Sequence, residues 1–241
     1  MSVDGGPDII KDGLVLCLDA GNRNSYNSGS NTWFDLSVNR YTGSLINGPT
    51  FNGSNNGSIV FDGTNDYSVS GLLSGSFASF TAIAWFYPTS LKNYANVLDC
   101  NYEYNATTGN IGPRLELNTA GNLGWIYSNI TNNGGSYYGH PVVSSGLAIN
   151  TWHFAAITYV ANSSTTYYNG IPTGLSRVTV GSPTGFIGTM NNLNIGRGYS
   201  PITTSERYLV GRVSSVQIYN RTLSATEVLQ NYNANKGRFG L

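Results

Sequence analysis

Apolar and polar positions alternate with a period of two in a series of short runs along the chain. The longest run, Phe80–Tyr87, ends at Pro88, because proline cannot donate to a strand ladder. The run Leu14–Leu18 is apolar on both faces, which is typical of a buried strand. Further strands are predicted at Ser58–Phe61, Tyr67–Val69, Asn96–Leu98, Arg114–Leu117, Leu123–Tyr127, His153–Val160, Thr165–Tyr168, Leu193–Ile195 and Arg212–Tyr219.

Clusters of Gly, Asn and Ser separate these runs, as expected for turns between antiparallel strands. Helical patterns long enough to connect parallel strands are missing from the sequence. The chain shows no internal repeat and no linker that would divide it. The pattern therefore predicts an all-β, antiparallel sandwich or barrel in one domain.

The helical pattern is confined to the C-terminal end. Ser224 and Glu227 have the spacing of a capping box, and Leu223 and Val228 occupy the staple positions around it. Val228, Leu229 and Tyr232 share one helical face, which we expect to cover an edge of the sandwich. The predicted organisation is an N-terminal segment (1–12), a sandwich (13–223) and a capped helix with its tail (224–241) on the same domain.

Charge and the length of the apolar runs exclude two classes of partner, nucleic acids and membranes. The 241 residues hold 12 Lys and Arg against 12 Asp and Glu, for a formal net charge of +0. Since the basic residues are scattered, nucleic-acid binding is not expected. No apolar run approaches the roughly 20 residues that a membrane helix needs, and residues 1–12 lack the pattern of a signal peptide. Neither membrane insertion nor a secretory leader is predicted.

The two cysteines, Cys17 and Cys100, are too few for a disulfide framework. Cys17 lies in the apolar run Leu14–Leu18, where a buried free thiol acts as a small hydrophobic side chain. A bridge between the two cysteines is the alternative, because the sequence does not give their separation.

A set of ordered motifs carries a family resemblance over nearly the whole chain. The motifs are LVLCLDAGN, WFDLSVNRYTGSL, IVFDGTNDYSV, FTAIAWFYP, WHFAAITY followed by YYNG, LNIGR, and the stretch from VQIYNRTLSATEVL to the end. The series resembles the concanavalin A-like lectin/glucanase superfamily in its laminin-G-like branch. That resemblance implies a two-sheet jelly roll.

The ends of the chain also resemble virion proteins of tailed phages, especially marine ones. This likeness implies a protein of the capsid or tail surface that attaches to other virion subunits or to itself. Its loops would then contact host cell-surface polysaccharide. A freestanding carbohydrate-binding adhesin is the alternative.

Catalysis is not predicted. Glucanases of the superfamily carry Glu-x-Asp-x-x-Glu on one strand, and none of the four Glu of this chain lies in that motif. Asp99 and Glu103 would lie roughly 13 Å apart on an extended strand, too far for a retaining pair. Glu116 is interpreted as a surface or edge residue of a strand, and His153 as a residue on the outward face of one. A glycoside hydrolase is the less favoured interpretation.

A calcium ion is the one cofactor that the resemblance suggests, where the first and last strands of related jelly rolls meet. The candidate oxygen ligands are Asp19, Asn22, Asp35 and Asn39. Relatives commonly have an acidic pair where this chain has Ser214-Ser215, which would weaken such a site. The same Asp and Asn residues also suit turns, in which their side chains bond to the backbone.

Glycan binding is predicted at a tyrosine-rich loop. Sugar rings stack on aromatic side chains while a few polar groups bond the hydroxyls. The stretch 132–140 offers adjacent tyrosines, glycines and an imidazole. The candidate residues are Tyr137, Tyr138, His140, Tyr102, Tyr104 and Tyr199. Tyrosines are equally suited to edge strands and protein interfaces, so these residues leave the choice between a sugar and a protein partner open.

Overall fold

The computed structural model describes residues 7–71, 78–100, 110–129, 137–160, 163–181, 190, 192–200 and 205–241. The strands in chain order are β1 (Leu14–Asp19), β2 (Thr32–Trp33), β3 (Gly43–Ile46), β4 (Thr50–Asn52), β5 (Ser58–Asp62), β6 (Tyr67–Ser70), β7 (Ser79–Pro88), β8 (Ala95–Asp99), β9 (Asn110–Leu117), β10 (Leu123–Asn129), β11 (Tyr137–Val143), β12 (His153–Val160), β13 (Ser163–Tyr168), β14 (Ile171–Pro172), β15 (Val178–Val180), β16 (Leu193–Ile195), β17 (Arg197–Ser200), β18 (Ser205–Tyr208) and β19 (Val210–Tyr219). The helix α1 (Ala225–Asn235) lies between the 3₁₀ turn Lys236–Phe239 and β19, and a further 3₁₀ turn spans Ser54–Asn56.

Two antiparallel sheets form the sandwich. The eight-stranded sheet has the order β14-β13-β12-β7-β19-β5-β4, and β1 pairs with β19 beside β5. The nine-stranded sheet has the order β15-β11-β10-β9-β8-β16-β6-β3-β2. The hairpin β17–β18 contacts the nine-stranded sheet at β8. The predicted all-β jelly-roll sandwich with one short C-terminal helix is confirmed.

The inner faces of the two sheets form the main core. Trp33, Phe80, Trp125, Tyr127 and Tyr159 are fully buried there, together with aliphatic side chains from both sheets. Tyr159 contacts Phe80 in a stacked arrangement and Tyr127 edge-on, at centroid distances of 5.3 Å each. Aromatic pairs in these geometries add to the free energy of area burial, so this group stabilises the contact between the sheets.

The C-terminal helix covers the outer face of the eight-stranded sheet rather than its edge, which corrects the sequence prediction. Trp85 of β7 stacks on Tyr232 at 5.5 Å and on Phe239 at 4.4 Å. β7 and β12 are interior strands of their sheet, and their outer side is apolar. Without the helix this apolar surface would be exposed to solvent.

The capping box of the helix is confirmed. Ser224 Oγ accepts from the Glu227 backbone N–H at 3.3 Å, and the Ser224 N–H donates to Glu227 Oε2 at 2.8 Å. The buried face of the helix differs from the expected one: Val228 is buried but Leu229 is 40% exposed. Asn231, rather than Leu229, is buried on this face. A polar side chain can be buried here because it forms hydrogen bonds with the Tyr219 hydroxyl and the Ile10 N–H.

Both cysteines are buried free thiols, as favoured for Cys17. His153, interpreted as an outward-facing residue, is instead buried. Its ring nitrogens lie 2.7 Å from the Tyr168 hydroxyl and 2.8 Å from the Ala148 carbonyl. In the part of the chain described above, no helix has the length and apolar character needed to cross a membrane.

Candidate functional site

A groove lies on the outer face of the nine-stranded sheet, across β9, β10, β11 and β15. The alternation of strands decides which residues reach it. In β10, Leu123, Trp125 and Tyr127 are buried in the core, and Gly124 and Ile126 face outward. The outward set of β11 is Tyr137, Gly139, Pro141 and Val143.

The groove has a volume of about 330 Å³, which is within the range of small-ligand sites. Its floor contains two glycines on neighbouring strands, Gly124 and Gly139. A Cβ at Gly139 would meet only Tyr137 Cε2, at 3.9 Å, so the space above this residue is open beside an aromatic ring. Val178 and Val180 of β15 form one wall, and the amide side chains of Asn118 and Asn122 lie at the margin.

An ion cluster borders the groove at Glu116. Arg207 Nη1 donates to Glu116 Oε2 at 2.9 Å, and Arg114 Nη2 lies 3.5 Å from the same oxygen. The side chains of all three residues are only 12–14% exposed. Burial and the neighbouring Arg114 lower the pKa of Arg207, while Glu116 acts in the opposite direction. The guanidinium of Arg207 also lies over the Tyr94 ring, 4.6 Å from its centroid.

The hairpin β17–β18 brings Arg207 onto the sheet. Gly198 makes this approach possible, since a Cβ there would overlap the amide of Asn96 in β8. Arg197 donates to Asn194 Oδ1 at 2.9 Å and lies over the Tyr67 ring at 3.4 Å. The hairpin therefore adds two arginines, Arg197 and Arg207, to the outer face of the nine-stranded sheet. The other polar residues of this part of the face come from β8, β9 and β16.

Sequence reasoning missed the ion cluster. Arg114 and Glu116 are two residues apart in a predicted strand, so a shared outward face was readable from the period of two. Glu116 was expected at the surface or at an edge, but β9 is an interior strand and the carboxylate is largely covered. The contribution of Arg207 depends on the hairpin, which the sequence analysis did not predict.

Tyr137, Tyr138 and His140, predicted in a glycan-binding loop, belong to strand β11. The asparagines and glycines of the stretch 132–140 favour a loop in the sequence. A proline fits here because β15 pairs with β11 only over Tyr137–Gly139. Tyr137 lines the groove.

The other predicted glycan residues are placed differently. Tyr138 is 8% exposed and lies beneath Arg177, whose guanidinium carbon is 4.0 Å from the ring centroid. His140 is 4% exposed, and its ring nitrogens lie 2.8 Å from Ser164 Oγ and from the Leu175 carbonyl. Both rings are largely buried, and His140 is also among the residues that line the groove. Tyr102 and Tyr104 lie outside the described residues, and for Tyr199, in β17, only the backbone is described.

The predicted calcium ligands each bond to groups of the protein itself. Asp35 accepts from the N–H groups of Cys17, Ser37 and Tyr41 and from the Ser37 hydroxyl. Asn39 donates to the Val15 carbonyl. The Asn22 side chain accepts from the Asn24 N–H, as in an Asx turn.

Asp19 pairs with an arginine where β1 and β19 meet. Arg238 Nη1 donates to Asp19 Oδ1 at 2.9 Å and to Oδ2 at 3.0 Å, and Nη2 donates to Ser214 Oγ at 3.0 Å. A cation of the protein thus occupies the place where the resemblance suggested a metal ion. The described residues contain no group of three or more His, Cys, Asp or Glu side chains that could hold a metal. The residues present do not fit a calcium site.

Comparisons with known proteins agree with this architecture. The receptor-binding domain of botulinum neurotoxin C/D mosaic serotype superposes with a TM-score of 0.68 at 16% identity, covering 92% of this chain and 51% of that one. The type G receptor-binding domain gives 0.64 at 16% identity, with the same coverage. A Trypanosoma rangeli sialidase in complex with sialic acid gives 0.64 at 16% identity, covering 94% and 33%.

The chain thus spans about half the length of the neurotoxin domains and a third of the sialidase. At these identities, the likeness concerns the fold alone. A search of curated protein sequences found no significant match. The profile Laminin_G_3 matches residues 61–229, more than half of the chain, and the protein therefore belongs to the concanavalin A-like lectin/glucanases superfamily.

Proposed function

We propose that this chain is a non-catalytic structural or decoration protein of a virion, and that its groove binds a glycan of the host surface. The observation that carries the binding role is the groove on the nine-stranded sheet, with its glycine floor beside Tyr137. The virion role rests on the resemblance of the chain ends to tailed-phage proteins. The same groove would serve a freestanding adhesin, which is the alternative.

The groove has the chemistry that sugar recognition needs. The apolar surface of Ile126, Pro141 and Tyr137 can contact the C–H face of a pyranose ring. The glycines allow that ring to approach the backbone of the sheet closely. Asn122 supplies an amide group that can donate to and accept from hydroxyls, and Asn118, whose Oδ1 already accepts from the Ala120 and Asn122 N–H groups, supplies amide donors.

The ion cluster supports a role without catalysis. A glycosidase needs two carboxyl groups that face the scissile bond and are free to act as acid and nucleophile or base. Glu116 is the one carboxylate among the groove residues that the structure describes, and two guanidiniums contact it. A carboxylate held in this way is stabilised in place rather than poised for attack.

The known structures with the same architecture support a binding role in general terms. Two are receptor-binding domains of neurotoxins, and the third is a sialidase in complex with sialic acid. A surface that recognises a partner is therefore a reasonable use of this fold. For the virion, the partners would be other virion subunits or further copies of this chain, in addition to the host polysaccharide.

The binding proposal is tested by filling the groove. Gly139 does not have a positive φ, so Gly139→Val adds a side chain suited to a strand in the open space beside Tyr137. Gly71→Val is the matched control: Gly71 also lacks a positive φ, has open space around its Cβ and lies outside the groove. Both variants and the wild type are applied to an array of bacterial surface oligosaccharides.

We expect wild type and Gly71→Val to bind the same glycans and Gly139→Val to lose them, with all three melting at similar temperatures. No binding by the wild type, or undiminished binding by Gly139→Val, would overturn the groove as the site. The virion role is tested separately, by mass spectrometry of purified phage particles that encode the chain. Its absence from such particles would leave the adhesin alternative.

A further inference from the structure

Glu116 is held at one end of the groove by one of its two carboxylate oxygens. Its Oε2 accepts from Arg207 Nη1 at 2.9 Å and lies 3.5 Å from Arg114 Nη2. None of the described residues donates to the other oxygen, Oε1, which is also not among the fully shielded polar atoms that lack a partner. Since Glu116 lines the groove, Oε1 can accept a hydrogen bond from a hydroxyl group of a ligand.

The charges behind this end of the groove are balanced. Burial lowers the pKa of Arg207 and the neighbouring Arg114 adds to that effect, whereas the carboxylates of Glu116 and Asp99 raise it. Of these four residues, only Glu116 is among the described residues that line the groove. Burial also lowers the pKa of His140, so this groove residue is uncharged at neutral pH. In the described lining, a ligand therefore meets one carboxylate and no cation.

The register of the strands gives the groove two neighbouring depressions, one at each glycine. Gly124 of β10 is paired with Glu116 on one side and with Pro141 on the other, and Gly139 of β11 is paired with Ile126. Directly opposite residues point to the same face, so each glycine lies beside a larger apolar side chain. The two glycines are diagonal neighbours on adjacent strands, about 7–8 Å apart. Two linked sugar rings can therefore occupy the two depressions.

We propose that the groove selects an uncharged oligosaccharide, with one ring above Gly124 and the next ring above Gly139 beside Tyr137. A hydroxyl of the first ring donates to Glu116 Oε1. This inference rests on the proposed glycan-binding function and names its ligand class. Because Arg207 fixes the carboxylate before the ligand arrives, little conformational entropy is lost when this bond forms.

The same carboxylate discriminates against acidic sugars. A uronic acid placed above Gly124 would bring a second negative charge beside Glu116, and like charges in a partly covered position repel. The described lining offers that acid no cation in return. Specificity for uncharged sugars thus comes from a repulsive element as well as from the hydrogen bond to the hydroxyl.

The experiment compares the same glycans with and without their charge. The array of bacterial surface oligosaccharides is printed twice, once native and once after carboxyl reduction, which converts uronic acids into neutral hexoses and keeps the linkages. Matched pairs whose repeating unit carries a uronic acid are then measured by calorimetry with the wild type, Glu116→Gln and Gly139→Val. Asp8→Asn is the charge-matched control, since the Asp8 side chain is 83% exposed and lies outside the groove.

We expect the wild type to bind the reduced form of such a glycan about tenfold or more tightly than the native form. An acidic ring turned away from Glu116 loses a hydrogen bond to a charged group, and such bonds are worth about a factor of ten or more in affinity. Glu116→Gln should bind the reduced forms about tenfold more weakly and should no longer discriminate against the acids. Asp8→Asn should behave as the wild type.

Equal or tighter binding of the acidic forms by the wild type would overturn the uncharged ligand class. If Gly139→Val still abolished that binding, the groove would stand as the glycan site. Discrimination retained by a folded Glu116→Gln would overturn the role of this carboxylate. No binding on either half of the array would overturn both proposals. The wild-type comparison needs no variant, so it decides the ligand class even if Glu116→Gln fails to fold.

Discussion

Arg238 connects the C-terminal segment to the first and last strands of the sandwich. Its substitution tests whether this arginine, rather than a metal ion, is the cation that pairs with Asp19. The guanidinium makes four hydrogen bonds, two to Asp19 and one each to Ser214 and Asn235, at 2.9–3.2 Å. The approach is close enough that a Cβ at Gly21 would overlap it. Arg238→Met keeps much of the apolar stem and removes the charge.

The magnitude follows from burial. The side chains of Arg238 and Asp19 are 12% and 19% exposed. Exposed ion pairs contribute at most about 1 kcal/mol, whereas removing one partner of a buried pair costs about 3–5 kcal/mol. A mostly covered pair lies between these limits, so we expect a loss of about 2–3 kcal/mol. With a urea dependence of about 3 kcal/mol per molar, the unfolding midpoint should fall by about 1 M.

The assay is urea unfolding of the wild type, Arg238→Met, Asp19→Asn and the double variant, each in calcium and in excess chelator. Arg23→Met, at an exposed arginine, is the control for loss of charge. The sum of the stability losses in the two single variants should exceed the loss in the double variant, because each single substitution already breaks the same ion pair. The wild type should unfold at the same urea concentration with and without calcium. Additive losses, or a wild type that chelator destabilises, would refute the arginine as the cation of this site.

Other predictions concern the helix, the pH dependence and catalysis. Ser224→Ala should cost about 1 kcal/mol in urea unfolding without weakening glycan binding, since it removes one acceptor of the capping box; an unchanged midpoint would contradict the cap. Truncation after Leu223 should give an aggregating chain, because Trp85 loses its cover; a stable monomer would show that the helix is dispensable. The hydrogen bonds from Arg221 lower the pKa of Glu227 from 4.5 to about 2, so its contribution to stability is present above about pH 4.5 and is lost as the pH falls toward 2. Glu227→Gln should remove that part of the acid dependence of the urea midpoint, and an identical pH profile would refute it. Neither wild type nor Glu116→Gln should release reducing sugar from polysaccharides; turnover that this variant abolishes would establish an enzyme.

Local patterns predicted the elements whose signal lies within a few neighbouring residues. The runs His153–Val160 and Leu193–Ile195 are strands with the predicted bounds, because β-branched and aromatic residues suit a pleated, buried surface. The helix start at Ser224 was equally readable, since the capping box joins residues three apart. Strand β11 was missed because the asparagines and glycines of the stretch 132–140 favour a loop. Its position is fixed by pairing with β10 and β15.

The sequence by itself therefore determined the fold class, the helix cap and the absence of a glucanase motif. Only the tertiary structure decided the site. The groove joins outward positions of four strands, and the ion cluster pairs Glu116 with Arg207, which is 91 residues away in the chain. Likewise, the pairing of Arg238 with Asp19 spans 219 residues. Such contacts depend on strand order and register, which no periodicity within a short window contains, because the same alternating pattern fits many pairings.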